Sequence, residues 1–209
     1  MDDVVSDLIA QQLNHPSIYS FPCGVRILPD VALFLGDATA ASNRTYLTQH
    51  KINDVTSLGT GSIAPSVGES FIESSRLNSY QSIPSIVIDI FDLEHELILP
   101  HMEACFEFIR AHESSQEESN GVLVHCAYGQ SRSATICVAY LMYTYKWTLK
   151  RAYEAIHHAR PCISINKGFL TQLAHFERME FDSDIRGRSA AQAEVADIQV
   201  SNYDFEVRH

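Results

Sequence analysis

No apolar run in the chain approaches the roughly 18 residues that a membrane-spanning helix needs, so no membrane partner is expected. The opening residues, MDDVVSDLIA, carry no basic stretch ahead of an apolar one and do not read as a signal peptide. Position 2 is Asp rather than Gly, so myristoylation is not expected. The closing residues, Glu206 to His209, hold no prenylation cysteine. Positive charge is also scarce, with 15 Lys and Arg against 26 Asp and Glu and a formal net charge of −11. Such a chain is a poor ligand for nucleic acid or for anionic membranes, so neither is expected as a partner.

Cysteine is present but not in a binding pattern. There are five, an odd number without regular spacing, and no Cys-x-x-Cys pair. That excludes a disulfide framework and predicts reduced thiols in the cytoplasm or nucleus. Ten His are available, yet no His-Glu-x-x-His occurs, and the adjacent His157 and His158 would point to different sides of a helix. No metal site and no cofactor are expected. At 209 residues the chain is one domain of ordinary size, large enough for a full core.

What the chain does have is one dense stretch, Gly121 to Leu141, reading GVLVHCAYGQSRSATICVAYL. Val122-Leu123-Val124 suits a strand buried on both faces. Ala134 to Leu141 is apolar on nearly every side, as a central buried helix would be. Between them lies the loop His125 to Ser133, so the order is strand, tight loop, helix. Loop N–H groups and a helix N-terminus together make an anion site. Gly129 permits a backbone conformation closed to other residues. Arg132 stands where its planar fork can grip two phosphate oxygens. Cys126, at the loop's entrance, faces the same positive field, which favours the nucleophilic thiolate, and Ser133 offers a hydroxyl nearby.

The segment HCAYGQSRS resembles the signature of the cysteine-dependent protein phosphatases: His-Cys, five residues, Arg, then Ser or Thr. Its Ser-Arg-Ser ending is that of the dual-specificity branch. Phe34-Leu35-Gly36 and the later stretch NKGFLTQLAHFE are similar to the opening and the final helix of the same family, so the resemblance covers about residues 24–180. It implies a dual-specificity phosphatase-like α/β fold, a mixed central sheet of about five strands with helices on both faces and one buried central helix.

The remaining pattern fits that fold. Residues 2–14 read as an amphipathic helix within an N-terminal extension, 1–23, ahead of a catalytic domain over 24–182. Strands are predicted at 24–28, 31–35, 53–57 and 86–90, with Pro29-Asp30 as a turn. Asp37 is predicted to cap a helix reaching Gln49. Residues 58–83 read as a long Ser- and Gly-rich surface loop with a short turn around Phe71-Ile72, and 114–120 as an acidic loop. Helices follow from Pro100, with Met102, Cys105, Phe106 and Ile109 on one face, from Thr148 to before Pro161, and from an Asn166 cap. The tail 183–209 carries a weak strand signal at Ile198 and Val200, and Tyr203 sits in an acidic setting suited to phosphorylation.

The resemblance also implies a mechanism. Cys126 attacks phosphorus. The N–H groups of Ala127, Tyr128, Gly129, Gln130, Ser131 and Arg132, with the Arg132 guanidinium, hold the phosphate oxygens. Ser133 assists departure of the thiolate, and His125 orders the loop. The acid has two candidates, Asp89 and Asp92, with Glu94 and Glu96 behind them. Asp89 falls inside the apolar run Ile86 to Ile90, where a strand residue with a structural partner is expected. Asp92 falls just past it, 34 residues before Cys126, where a loop residue can reach a cleft at the sheet's edge. Asp92 is the predicted acid. The loop residues Ala127, Tyr128 and Gln130 are not basic, which favours a phosphoprotein substrate over an inositol lipid. Tyr128 is unusual for the family and would either narrow the pocket floor or reach its rim. Cys105 and Cys137 read as packing residues or as partners for a reversible disulfide with Cys126. A phosphopeptide-binding module without turnover, or an enzyme acting on a non-protein phosphoester, are the alternatives.

Overall fold

Among the described residues, five strands build one sheet: β1 (Gly24–Leu28), β2 (Val31–Gly36), β3 (Ile52–Leu58), β4 (Ser85–Ile88) and β5 (Gly121–His125), in the spatial order β1-β2-β5-β3-β4. The computed structural model describes residues 2–12, 22–59, 83–113 and 121–187. Only the β1–β2 pair is antiparallel, as a two-residue turn dictates, and β2, β5, β3 and β4 run parallel. Along β5 the side chains alternate between two apolar layers. Leu123 joins Phe34, Ile52 and Val55, while Val122 and Val124 join Leu33 and Leu35. A strand reads as a continuous apolar run when both faces are covered in this way.

The smaller layer is closed by α2 (Ala38–Ser42) and α3 (Arg44–Gln49), which contribute Ala40, Ala41 and Leu47. The larger one is closed by α4 (Leu99–Glu113), α5 (Arg132–Tyr145), α6 (Leu149–Ala159) and α7 (Lys167–Gly187). Every residue of α5 from Arg132 to Met142 is buried, so it is the central helix that its all-round apolarity predicts. The N-terminal α1 (Asp2–Gln12) packs on this layer through the fully buried Leu8, and the Gln12 side chain pairs with both the N–H and the carbonyl of Ile165.

Two expectations are corrected. The helix predicted from Asp37 to Gln49 is two helices. Asn43 leaves the helical region and its side chain accepts from the Tyr46 N–H at 3.0 Å, so it ends α2 and caps α3. The fourth strand is 85–88 rather than 86–90, because its pairing with β3 stops at Leu58–Ile88 and the chain then turns toward the site. Asp89 therefore lies past the strand and is exposed. The turn at Phe71-Ile72, the loop 114–120, and Ile198, Val200 and Tyr203 of the tail lie outside the described residues. Among the described residues, no helix is long and apolar enough to cross a membrane.

Candidate active site

The C-terminal ends of four parallel strands meet at one edge, the place where open α/β sheets bind ligands. Asp37 follows β2, Cys126 follows β5, Ser57 lies near the end of β3, and Asp92 lies in the loop after β4. Each functional side chain is brought there by a separate strand, so none of these neighbours is close in sequence except those of the loop itself.

The loop 127–131 is held by its carbonyls. Ala127 O accepts from the Ala38 N–H at 3.3 Å, and Gln130 O from the Ser164 N–H at 3.0 Å. Ser131 O accepts from both the Thr135 N–H and hydroxyl at 2.8 Å. Arg160 holds the middle: its Nε donates to Gly129 O at 3.0 Å and its Nη2 to Tyr128 O at 3.3 Å. A trans peptide points its N–H opposite to its C=O. Turning these carbonyls outward to the surrounding elements aims the N–H groups at the loop's centre, which is how backbone forms an anion cradle. Gly129 has φ +66°, and a Cβ there would stand 2.6 Å from the Gly36 carbonyl oxygen, so glycine is required twice over.

Ser131 occupies the N-cap position of α5 but makes no capping bond with its side chain. Its hydroxyl donates instead to Asp92 Oδ1 at 2.6 Å. The first N–H groups of α5 thus keep their capacity for an anion. Arg132 is buried beneath, with Nη1 donating to Ile90 O at 3.2 Å. Its buried Nε has no hydrogen-bond partner and lies 3.6 Å from Asp92 Oδ2. A buried, unsatisfied guanidinium N–H beside a cradle of amides is a donor set for an oxyanion.

Cys126 is 3% exposed, and its Sγ accepts a hydrogen bond from Ser133 Oγ at 3.1 Å. His125 is buried one residue earlier, its Nε2 2.7 Å from Ser57 Oγ. Burial, with the Arg132 charge adding to it, pushes the imidazole down to about 4, so His125 is neutral at physiological pH. Burial pushes the Cys105 thiol up to about 12 and raises that of Cys137 as well, which disfavours their thiolates.

Asp92 is the candidate acid that the structure brings to the loop. It meets Ser131 and Arg132, and its Oδ1 accepts from Asn166 Nδ2 at 2.7 Å. Tyr128 is 64% exposed, so its ring stands at the surface and does not form a pocket floor. Sequence reasoning missed Arg160, a fully buried guanidinium that also donates to Pro22 O at 2.6 Å and faces Asp37 at 3.9 Å. It also missed Ser57 and the contact of Asn166 with Asp92. The one available signal was a lone Arg placed between the end of a helix and Pro161.

The model of the family "Dual specificity phosphatase, catalytic domain" matches residues 33–179. The chain belongs to the dual specificity phosphatase family. It is 36% identical, over 71% of its length, to a probable dual specificity protein phosphatase of Dictyostelium discoideum. It is 34% identical, over 72% of its length, to dual specificity protein phosphatase MPK-4 of Drosophila melanogaster. The chain spans 62% and 35% of the lengths of these two relatives. Among solved structures it is similar to human DUSP28, with a TM-score of 0.62 and 28% identity, over 76% of this chain and 95% of that one.

Proposed function

We propose that the protein hydrolyses phosphotyrosine and phosphoserine or phosphothreonine in protein substrates, through a phosphocysteine on Cys126, in the cytoplasm or nucleus. The observation that carries this reading is the meeting of Asp92 with the Cys126 loop: a carboxyl arriving from another strand to within 3.6 Å of a buried arginine whose Nε has no other partner.

In the first step the Cys126 sulfur attacks phosphorus and the bond to the substrate oxygen breaks. The proton of neutral Asp92 passes to that oxygen, which leaves as the free hydroxyl. The inward N–H groups from Ala127 to Arg132 and the Arg132 fork stabilise charge on the three equatorial oxygens. In the second step water attacks phosphorus and gives its proton to the Asp92 carboxylate. The S–P bond breaks, the departing sulfur receives a hydrogen bond from Ser133, and inorganic phosphate leaves. His125, neutral and tied to Ser57, holds the strand end from which the loop springs. None of the loop positions Ala127, Tyr128 and Gln130 adds a cation, which supports a phosphoprotein over a polyanionic lipid headgroup. The test is turnover of phosphotyrosine and phosphothreonine peptides beside a panel of phosphoinositides. Hydrolysis of the peptides supports the reading, and preferential hydrolysis of the lipids overturns it.

A further inference from the structure

Asn166 uses its side-chain amide on two different elements. Its Oδ1 accepts from the Phe169 N–H at 2.9 Å and caps α7, while its Nδ2 donates to Asp92 Oδ1 at 2.7 Å. The Phe169 N–H can only donate, so the amide oxygen faces it and the nitrogen faces the carboxyl. The Asn166 N–H donates to the Ser131 hydroxyl at 3.2 Å, which directs that hydroxyl's own proton to Asp92 Oδ1. Both acceptor sites of Oδ1 are thereby filled. The transferable proton of the neutral acid is left to Oδ2, the oxygen that faces Arg132.

The rest of the acid loop is fastened to the first two turns of the same helix. Gln172 Oε1 accepts from the Ile98 N–H at 2.9 Å, and its Nε2 donates to Glu96 O at 2.7 Å. A Cβ on Gly168 would stand 1.9 Å from the Glu94 carbonyl oxygen, so only glycine lets the loop lie this close.

We propose that Asn166 is a positioning residue for the general acid, holding Asp92 over the loop with its transferable proton on Oδ2. This rests on the reading of Asp92 as that acid. As the P–O bond breaks, the Oδ2 proton moves to the leaving oxygen, and the carboxylate left behind retains both donors on Oδ1.

The test compares kcat/KM for a phosphotyrosine peptide, a poor leaving group, with that for 4-nitrophenyl phosphate, a good one. Asn166→Ser keeps an oxygen to cap α7 but is too short to reach Asp92. It should lower the ratio of the two values roughly tenfold, the worth of one hydrogen bond to a charged group. In an Asp92→Asn background the same change should alter the ratio by less than about twofold, since coupled residues are not additive. Gly168→Ala, which displaces Glu94 without touching Asn166, should lower the ratio in the same direction. Equal losses on both substrates, or an undiminished effect in the Asp92→Asn background, would make Asn166 a helix cap only. Should Asn166→Ser fail to fold, Asn166→Asp retains cap and shape while replacing the donor, and an unchanged ratio there overturns the proposal. If Asp92→Asn itself slows both substrates equally, the acid lies elsewhere and the proposal falls with that reading.

Discussion

Ser133 Oγ lies 3.1 Å from Cys126 Sγ and donates a hydrogen bond to it. The two residues are seven apart in sequence, one at the end of β5 and the other in the first turn of α5, and the loop between them closes the ring. The contact matters most when the sulfur carries negative charge, which happens as the S–P bond breaks. Ser133→Ala should therefore slow the second step more than the first. A pre-steady-state burst on an aryl phosphate should become larger relative to the steady rate, with kcat falling about tenfold. Unchanged burst amplitude would remove Ser133 from thiolate departure.

Arg132→Lys should be severely impaired despite equal charge. A point ammonium cannot replace both the bond to Ile90 O and the unpartnered Nε beside the loop. Steady-state kinetics should show kcat/KM down by at least about tenfold. A smaller loss would mean that the fork is not the transition-state clamp.

Arg160 predicts a loss that is structural in origin but appears at the site. Arg160→Leu would leave the Gly129 carbonyl without its partner in a buried setting, and those of Pro22 and Tyr128 without theirs in partly buried ones. Unfolding by denaturant should reveal a cost of about 2–4 kcal/mol. The milder Arg160→Lys should weaken competitive inhibition by inorganic phosphate roughly tenfold, because the loop's carbonyls are no longer fixed as a set. Full phosphate affinity in Arg160→Lys would show that the cradle holds its shape without this guanidinium.

His125 gives a dependence of stability on pH. Its folded value of about 4 lies below the ordinary 6.5, so between those two values the unfolded chain binds the extra proton. The contribution is fully present above about 6.5 and is lost as pH falls toward 4, amounting to about 3 kcal/mol at most. Denaturant unfolding of the native protein and of His125→Asn at several pH values checks this. The native protein should lose more stability than the variant on acidification through that window, and parallel curves would contradict it.

The parts legible in the sequence are those written locally. The alternation of β5, the all-round apolarity of α5 and the caps Thr148 and Asn166 depend on residues within a turn or two of one another, and they fell where the patterns placed them. Even locally, Asn43 is a second capping residue six positions after Asp37, and reading one cap for the whole segment passes over it. Cys126, Gly129, Arg132 and Ser133 were legible because one short loop carries them all. Arg160, Ser57 and the second contact of Asn166 were not. Each pairs with a group 31 or more residues away, at 31 for Arg160 to Gly129, 68 for Ser57 to His125 and 74 for Asn166 to Asp92. Periodicity reports which face a residue lies on, and says nothing of the distant carbonyl or carboxyl that waits there.

The nucleophile is tested most directly by rapid acid quench during turnover of a phosphotyrosine peptide, followed by digestion and mass spectrometry. The phosphate should be found on the peptide containing Cys126 in the native protein, and Cys126→Ser should show neither the adduct nor turnover while still binding a phosphopeptide. Phosphate on any other residue, or turnover by Cys126→Ser near the native rate, would contradict catalysis through a phosphocysteine at this site.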